Sequence, residues 1–126
     1  MNEQLNMIIK DKYNNDNLYV ENPTAYFYDL NKIKENIANL NKYKPDNLNV
    51  FYAMKANDLS QIMEYVTKNL YGIEIASYGE LEKAKKYIDC SKIIFTGPGK
   101  TDKELEELKK AKIKTINVES IVEAIR

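Results

Sequence analysis

The sequence predicts an α/β fold in which short parallel strands alternate with amphipathic helices. Four apolar runs (LNVFYAM, YGIEIA, KIIFT and KTINV) recur at roughly 22-residue intervals, and stretches with apolar residues at steps of three and four separate them. Parallel neighbours need a crossover connection, usually a helix, so this alternation indicates βαβ units. The nearly continuous apolar strands also predict a sheet covered on both faces. Both an open doubly wound sheet and the opening units of a (β/α)8 barrel fit this pattern.

The chain before the first apolar run has a different character. Residues 1–22 are polar and rich in asparagine, and we expect a loosely structured lead-in there. Aromatic residues cluster in TAYFY, residues 24–28, which predicts a short strand. A helix follows, with Asp29 as its expected N-cap and KPDN, residues 44–47, as its end. Its apolar face contains Leu30, Ile33, Ile37 and Leu40.

Each later helix has a predicted start signal. In a capping box, an N-cap side chain and an acidic or amide side chain three residues later satisfy each other's free backbone N–H groups. Four pairs have this spacing, each soon after an apolar run: Asp58 with Gln61, Ser77 with Glu80, Thr101 with Glu104, and Ser120 with Glu123.

The composition excludes several classes of function. The 126 residues suit one modest domain, and 19 basic residues balance 19 acidic ones, so no charge excess indicates nucleic acid or an acidic membrane. Histidine is absent, which excludes a Ser-His-Asp triad and histidine metal ligands within these residues, and we predict no metal site. A single cysteine, Cys90, favours a cytoplasmic protein. We expect neither a signal peptide nor a membrane span.

Lys55 is the strongest candidate for chemistry. In either architecture, ligands bind at the carboxyl ends of the strands, and Lys55 directly follows the first apolar run. A lysine amine condenses with an aldehyde only when it is deprotonated, and partial burial at a strand end favours that state. By position alone, a solvated lysine in a βα loop is the competing interpretation.

Glu74 is the second candidate. It lies inside the run YGIEIA, where a carboxylate is costly unless it meets a cation, and Lys55 at the end of the neighbouring strand is a candidate cation. The competing interpretation is that Glu74 faces outward. Ser77 and Glu80, which follow, are interpreted mainly as helix caps.

The segment TGPGKT, residues 96–101, invites comparison with a phosphate-binding loop. That motif requires a glycine five residues before the glycine that precedes the lysine. The residue five before Gly99 is Ile94, inside the predicted strand, so the motif fails. A tight βα turn that uses the backbone freedom of glycine explains the segment better than nucleotide binding does.

Five segments, taken in order, resemble one enzyme family. NPTAYFYDLNKIKENI, FYAMKAN, GIEIASYGELEKA, IIFTGPGKTDKEL and INVESIVEAI are similar to the barrel domain of the fold-type III pyridoxal 5′-phosphate (PLP) decarboxylases. That group contains diaminopimelate, ornithine, arginine and carboxynorspermidine decarboxylases, and its barrel resembles that of alanine racemase. The resemblance covers residues 22–126. It implies a partial (β/α)8 TIM barrel of about the first four βα units, preceded by a short strand and a helix.

The resemblance also implies a cofactor and residue roles. The lysine of the FYAMKAN-like segment holds PLP covalently in the family, which assigns the catalytic and cofactor-binding role to Lys55. The acidic position of the second strand assigns Glu74 to cofactor binding, although many members have aspartate there. The implied activity is decarboxylation of an amino acid, with diaminopimelate as the first candidate and ornithine as the second. A related racemase with the same barrel is a further possibility.

The family's remaining site residues lie further along its chains. Residues 23–126 are therefore expected to form the N-terminal half of a barrel domain, without the C-terminal half and the β domain, and to be inactive alone. Unpaired strand edges promote association, so we expect a homodimer or assembly with a complementary half. The alternative function is a non-catalytic remnant that binds a full-length homologue or a complementary fragment.

Overall fold

The structure is a computed structural model that describes residues 3–15 and 26–126. Contacts divide the chain into two compact units, Met1–Asn31 and Lys32–Arg126. In the first unit, helix α1 spans Glu3–Asn15. The predicted loose structure is therefore wrong for these residues, because their glutamate, glutamine, methionine and lysine content favours helix more than their polarity opposes it. The other lead-in residues, and Thr24 and Ala25 of the predicted strand, lie outside the described residues.

The described part of the predicted TAYFY strand is not a strand. Tyr26–Tyr28 have no regular secondary structure, and Tyr26 is 90% exposed. Aromatic content favours strands only where a sheet accepts the residues, and no strand pairs with this segment in the described part of the chain. The helix that follows, α2, is confirmed at Leu30–Tyr43. Asp29 caps it as predicted, because its carboxylate accepts the Asn31 backbone N–H at 2.9 Å.

Four βα units make up the rest of the chain. The strands are β1 (Phe51–Ala53), β2 (Gly72–Ile75), β3 (Ile93–Phe95) and β4 (Thr115–Ile116). The helices that follow them are α3 (Ser60–Asn69), α4 (Tyr78–Ala84), α5 (Asp102–Ala111) and α6 (Ile121–Ile125). Short 3₁₀ turns lie at Met54–Ala56 and Cys90–Lys92.

The strand order decides between the two architectures that the sequence leaves open. The strands are all parallel and lie in the order β1-β2-β3-β4, so each pairs with the next one along the chain. A doubly wound sheet reverses its strand order at a switch point, whereas a (β/α)8 barrel adds each strand beside the last. The observed order is that of the opening units of a barrel, which confirms the predicted fold class.

The two faces of this sheet differ in their burial. One face carries Ile73, Ile75, Ile93 and Phe95, all at most 2% exposed, and packs with buried residues of the helices such as Leu81 and Leu108. The opposite face, called here the inner face, contains Gly72, which is buried, Phe51, Ala53, Glu74 and Ile94, which are only partly buried, and Thr115, which is exposed.

The prediction of a sheet covered on both faces is therefore wrong for these residues. Helices cover one face, and in a barrel the inner face is covered by the strands on the far side. Four strands cannot supply that cover.

Three of the four predicted helix starts are confirmed. Ser77, Thr101 and Ser120 are N-caps whose hydroxyls accept the backbone N–H three residues later. The fourth is wrong, since α3 has Leu59 as its N-cap and no side-chain cap. Asp58 instead forms an ion pair with Lys83. Over residues 3–15 and 26–126, no helix is long and apolar enough to cross a membrane.

Candidate functional site

The site is built at the carboxyl edge of the sheet, where β1 ends. Lys55 is the middle residue of the 3₁₀ turn Met54–Ala56 that follows β1 directly. Met54, on one side of it, is 1% exposed and belongs to the hydrophobic core, whereas Lys55 is exposed. The expected partial burial of Lys55 is therefore wrong, because the core anchors the turn through Met54 and leaves the Lys55 side chain exposed at the carboxyl edge of the sheet.

Contacts on either side of Lys55 fix the path of the chain. The Tyr52 hydroxyl donates a hydrogen bond of 2.9 Å to the Asn57 carbonyl oxygen, and the Asn57 side-chain oxygen accepts the Leu59 backbone N–H at 3.0 Å. Burial raises the pKa of the Tyr52 hydroxyl, so it remains a donor. The sequence did not predict the Tyr52–Asn57 hydrogen bond, because no local pattern indicates that the hydroxyl of a strand tyrosine contacts a residue five positions later.

Asp58 ties the same loop to the next unit. Its carboxylate forms a hydrogen-bonded ion pair with Lys83 of α4, which lowers the pKa of Asp58 and raises that of Lys83. Both side chains are largely solvent-exposed, so water screens the attraction and the pair contributes mainly to the path of the loop.

Glu74 lies on the inner face of the neighbouring strand. Its Cα pairs with that of Ala53, two residues before Lys55, and adjacent strands are about 4.8 Å apart. The suggestion that Lys55 is its ion-pair partner is not supported, since no salt bridge joins the two among the described residues. Glu74 is only partly buried, so its carboxylate does not require a cation as partner.

The TGPGKT loop has a structural lysine. Lys100 is 3% exposed, and its Nζ donates to the Gly97 carbonyl at 2.6 Å and to Glu123 Oε1 at 3.0 Å. It also lies 5.6 Å from the centre of the Phe95 ring. An amine engaged in this way is not available to a phosphate group, which agrees with the failed P-loop spacing.

Glu123, in the first turn of α6, completes this buried pair. Its Oε2 accepts the Glu119 backbone N–H at 2.7 Å, and this bond, with that from Lys100, lowers the pKa of the Glu123 carboxyl. The pair therefore joins the loop after β3 to the start of α6. Sequence reasoning interpreted Glu123 only as a cap, and a partner 23 positions away leaves no local signal.

Ser77 and Glu80 have the capping roles that the sequence predicts. The Ser77 hydroxyl accepts the Glu80 N–H at 3.2 Å, and Glu80 accepts the Ala76 N–H at 2.7 Å. Both side chains of this pair are thus engaged at the start of α4. In the part of the chain that the structure describes, no group of three or more His, Cys, Asp or Glu residues is placed to hold a metal ion.

Comparison with known proteins identifies the family. Residues 30–125 match the pyridoxal-binding domain of the pyridoxal-dependent decarboxylases. The chain belongs to this family. The predicted resemblance and the predicted cofactor class are therefore confirmed at the level of the family, and the parallel half-barrel is the fold expected of its pyridoxal-binding domain.

Several curated relatives of this decarboxylase-family chain are similar over most of its length. It is 37% identical over 101 residues to 2-[(L-alanin-3-ylcarbamoyl)methyl]-2-hydroxybutanedioate decarboxylase of Staphylococcus aureus, covering 80% of this chain and 25% of that protein. It is 40% identical over 96 residues to diaminopimelate decarboxylase of Aquifex aeolicus, covering 75% of this chain and 23% of that protein.

Solved structures give the same result. A crystal structure of diaminopimelate decarboxylase from Helicobacter pylori, complexed with L-lysine, superposes with a TM-score of 0.68 at 31% identity, covering 80% of this chain and 27% of that chain. The chain thus spans about a quarter of the length of the decarboxylases that it matches.

Proposed function

We propose that these residues form the first βα units, and carry the cofactor lysine, of a PLP-dependent amino-acid decarboxylase. The observation that supports this most is the place of Lys55. An exposed lysine follows β1 in the segment FYAMKAN, inside the stretch that matches the pyridoxal-binding domain. The carboxyl edge of the strands is where barrel enzymes bind their ligands.

The residues present fit one side of a PLP site. Lys55 offers a primary amine for covalent attachment, and Ala53 and Glu74 on the inner face beside it are only partly buried. Glu74 offers a half-buried carboxylate on that face, which favours positive charge nearby. When bound, PLP supplies an electron-withdrawing ring that takes up the electrons of the bond broken to the substrate carboxylate.

Within this proposal each residue has a defined part. Lys55 would hold the cofactor through its Nζ. Glu74 helps to bind the cofactor from the neighbouring strand. The contacts of Tyr52, Asn57 and Asp58 hold the backbone on both sides of Lys55 in place.

The proposed substrate is an amino acid. Diaminopimelate is the first candidate, because relatives at 31–40% identity carry that name, and ornithine is the second. The substrate named for the Staphylococcus aureus relative is a third compound to test, since that protein is 37% identical over 101 residues. Release of carbon dioxide from each compound, in the presence and absence of a complementary barrel half, ranks the candidates.

We also propose that the inner face is covered by a partner. Phe51 and Ile94 are half-buried there, and neither β1 nor β4 has a second neighbour among the described strands. Assembly with the remaining units of a barrel would cover both, and a homodimer is the competing form. Sedimentation with and without a complementary half distinguishes them.

The single cysteine supports the cytoplasm as the proposed location.

The same open face favours one second function, a non-catalytic subunit that acts by binding a full-length homologue. The two proposals differ in their need for Lys55. Lys55→Ala should abolish carbon dioxide release in the enzyme but should leave assembly intact under either function. Assembly without activity in the unsubstituted chain, for every compound of the panel, would favour the binding subunit.

A spectral titration with PLP tests the cofactor site. The unsubstituted chain and Lys86→Ala, which removes an exposed lysine elsewhere, should both shift the absorbance of PLP on covalent capture. Lys55→Ala should lose this shift, and Glu74→Gln should weaken the affinity while keeping it. Equal titrations for Lys55→Ala and Lys86→Ala would refute the assignment of Lys55.

A further inference from the structure

One hydrogen bond encloses the turn that carries Lys55. Met54–Ala56 form a single 3₁₀ turn, with Tyr52 before it and Asn57 after it. The Tyr52 hydroxyl donates to the Asn57 carbonyl oxygen at 2.9 Å. Because this contact joins the residues on both sides of the turn, opening the turn requires breaking it.

The core holds the donor of this bond. Tyr52 lies in β1 on the sheet face that the helices cover, where its Cα pairs with that of Ile73, and it packs against the hydrophobic core. Ile73 is fully buried. A ring packed in this way has little freedom, so its hydroxyl is placed by the core.

The acceptor is also restrained. The Asn57 side chain accepts the Leu59 backbone N–H at 3.0 Å, which fixes the approach to α3, and the next residue, Asp58, is paired with Lys83 of α4. The chain after Lys55 is thereby tied to two helices. The Tyr52–Asn57 hydrogen bond links these restrained residues after the turn to β1, which precedes the turn.

We propose that Tyr52 is a positioning residue, whose hydroxyl fixes the Met54–Ala56 turn so that the Lys55 amine meets the cofactor in one orientation. This inference rests on the proposed function of Lys55. Tyr52 acts through the Asn57 carbonyl and the turn. It therefore differs from Lys55 and Glu74, which are proposed to meet the cofactor themselves.

Tyr52→Phe tests the proposal, because it removes one oxygen and keeps the ring. Tyr65→Phe is the matched control, since Tyr65 is also a partly buried core tyrosine and its contact with Lys34 is made by the ring. In Tyr52→Phe, backbone amides of residues 54–58 should exchange hydrogen about fivefold faster, the factor expected from losing one hydrogen bond. Amides of β2 should be unchanged, which separates a local effect from global destabilisation.

The second measurement is the share of PLP captured at Lys55 relative to all other lysines after reduction. It should fall severalfold in Tyr52→Phe and stay constant in Tyr65→Phe. Unchanged exchange in residues 54–58 would overturn the proposal, and so would faster exchange with an unchanged share at Lys55. If the unsubstituted chain captures no PLP at Lys55, the proposed function of Lys55 fails. Hydrogen exchange still tests the role of Tyr52 in that case, because unchanged exchange in Tyr52→Phe would show that Tyr52 does not fix the turn.

Discussion

Replacing Ile93 by alanine should destabilise the chain far more than the same change at Ile94, its neighbour in β3. Ile93 is 0% exposed and lies in the core under the helices, so Ile93→Ala should cost about 2–5 kcal/mol of the free energy of unfolding, as buried large-to-small changes do. Ile94 lies on the half-open inner face, where less area is buried and no closed cavity forms. We expect a cost below about 1.5 kcal/mol there.

Urea unfolding followed by circular dichroism at low protein concentration measures this difference. Both changes replace isoleucine by alanine in the same strand, so the loss of strand propensity is shared and cancels. The Ile→Val pair is the milder version if Ile93→Ala does not fold, with about 1 kcal/mol expected at Ile93. Equal losses of unfolding free energy at both positions would show that the inner face is also covered in the isolated chain. That result would refute the difference in burial between the two faces of the sheet.

Four further substitutions test individual positions of the fold. Gly72→Ala places a methyl group 2.1 Å from the Lys92 carbonyl oxygen, so it should cost about 1–3 kcal/mol in urea, whereas Gly79→Ala in α4 meets nothing nearer than 3.9 Å and should stabilise the helix. Thr101→Ala removes the N-cap of α5 and should cost about 1 kcal/mol in the same assay. The bonds from Thr101 lower the pKa of Glu104, so its contribution to stability is present above the ordinary carboxyl range and is lost as the pH falls through the lowered value. In Glu104→Gln, the melting temperature should therefore fall less steeply as the pH is lowered through the acidic range. The same pH dependence in both proteins would show that Glu104 does not contribute to stability in this way.

Local signals predicted most of the secondary structure. The strand and helix alternation, Asp29 as a cap, and the serine and threonine caps depend on residues within a few positions of one another, and the structure confirms them. A local signal fails where a distant residue binds the same side chain. Asp58 has capping spacing, but its carboxylate pairs with Lys83 from another helix, and α3 starts one residue later than the box requires.

Features that depend on distant residues could not be predicted in this way. TAYFY has strand propensity, but a strand forms only with a partner, and the described residues provide none. The ion pair of Lys100 with Glu123 joins the loop after β3 to α6, 23 positions later, so no local pattern in TGPGKT indicates that its lysine is buried. The half-open inner face follows from the number of strands and not from their composition.

The candidate site shows the same division. Lys55 was predicted from its place after an apolar run and from the FYAMKAN resemblance, and the structure places it exposed at the carboxyl edge of β1. The Tyr52 hydrogen bond that encloses its turn has no sequence signal. It depends on the tyrosine ring being packed in a core that only the assembled helices create.

The site of covalent PLP attachment tests the proposed role of Lys55 directly. The chain is mixed with PLP, reduced with borohydride, digested, and analysed by peptide mass spectrometry, with Lys55→Ala as the comparison. We expect a dominant adduct on the peptide that contains Lys55, and its loss in Lys55→Ala. Adducts spread evenly over the exposed lysines, with the same pattern in Lys55→Ala, would contradict the assignment of Lys55.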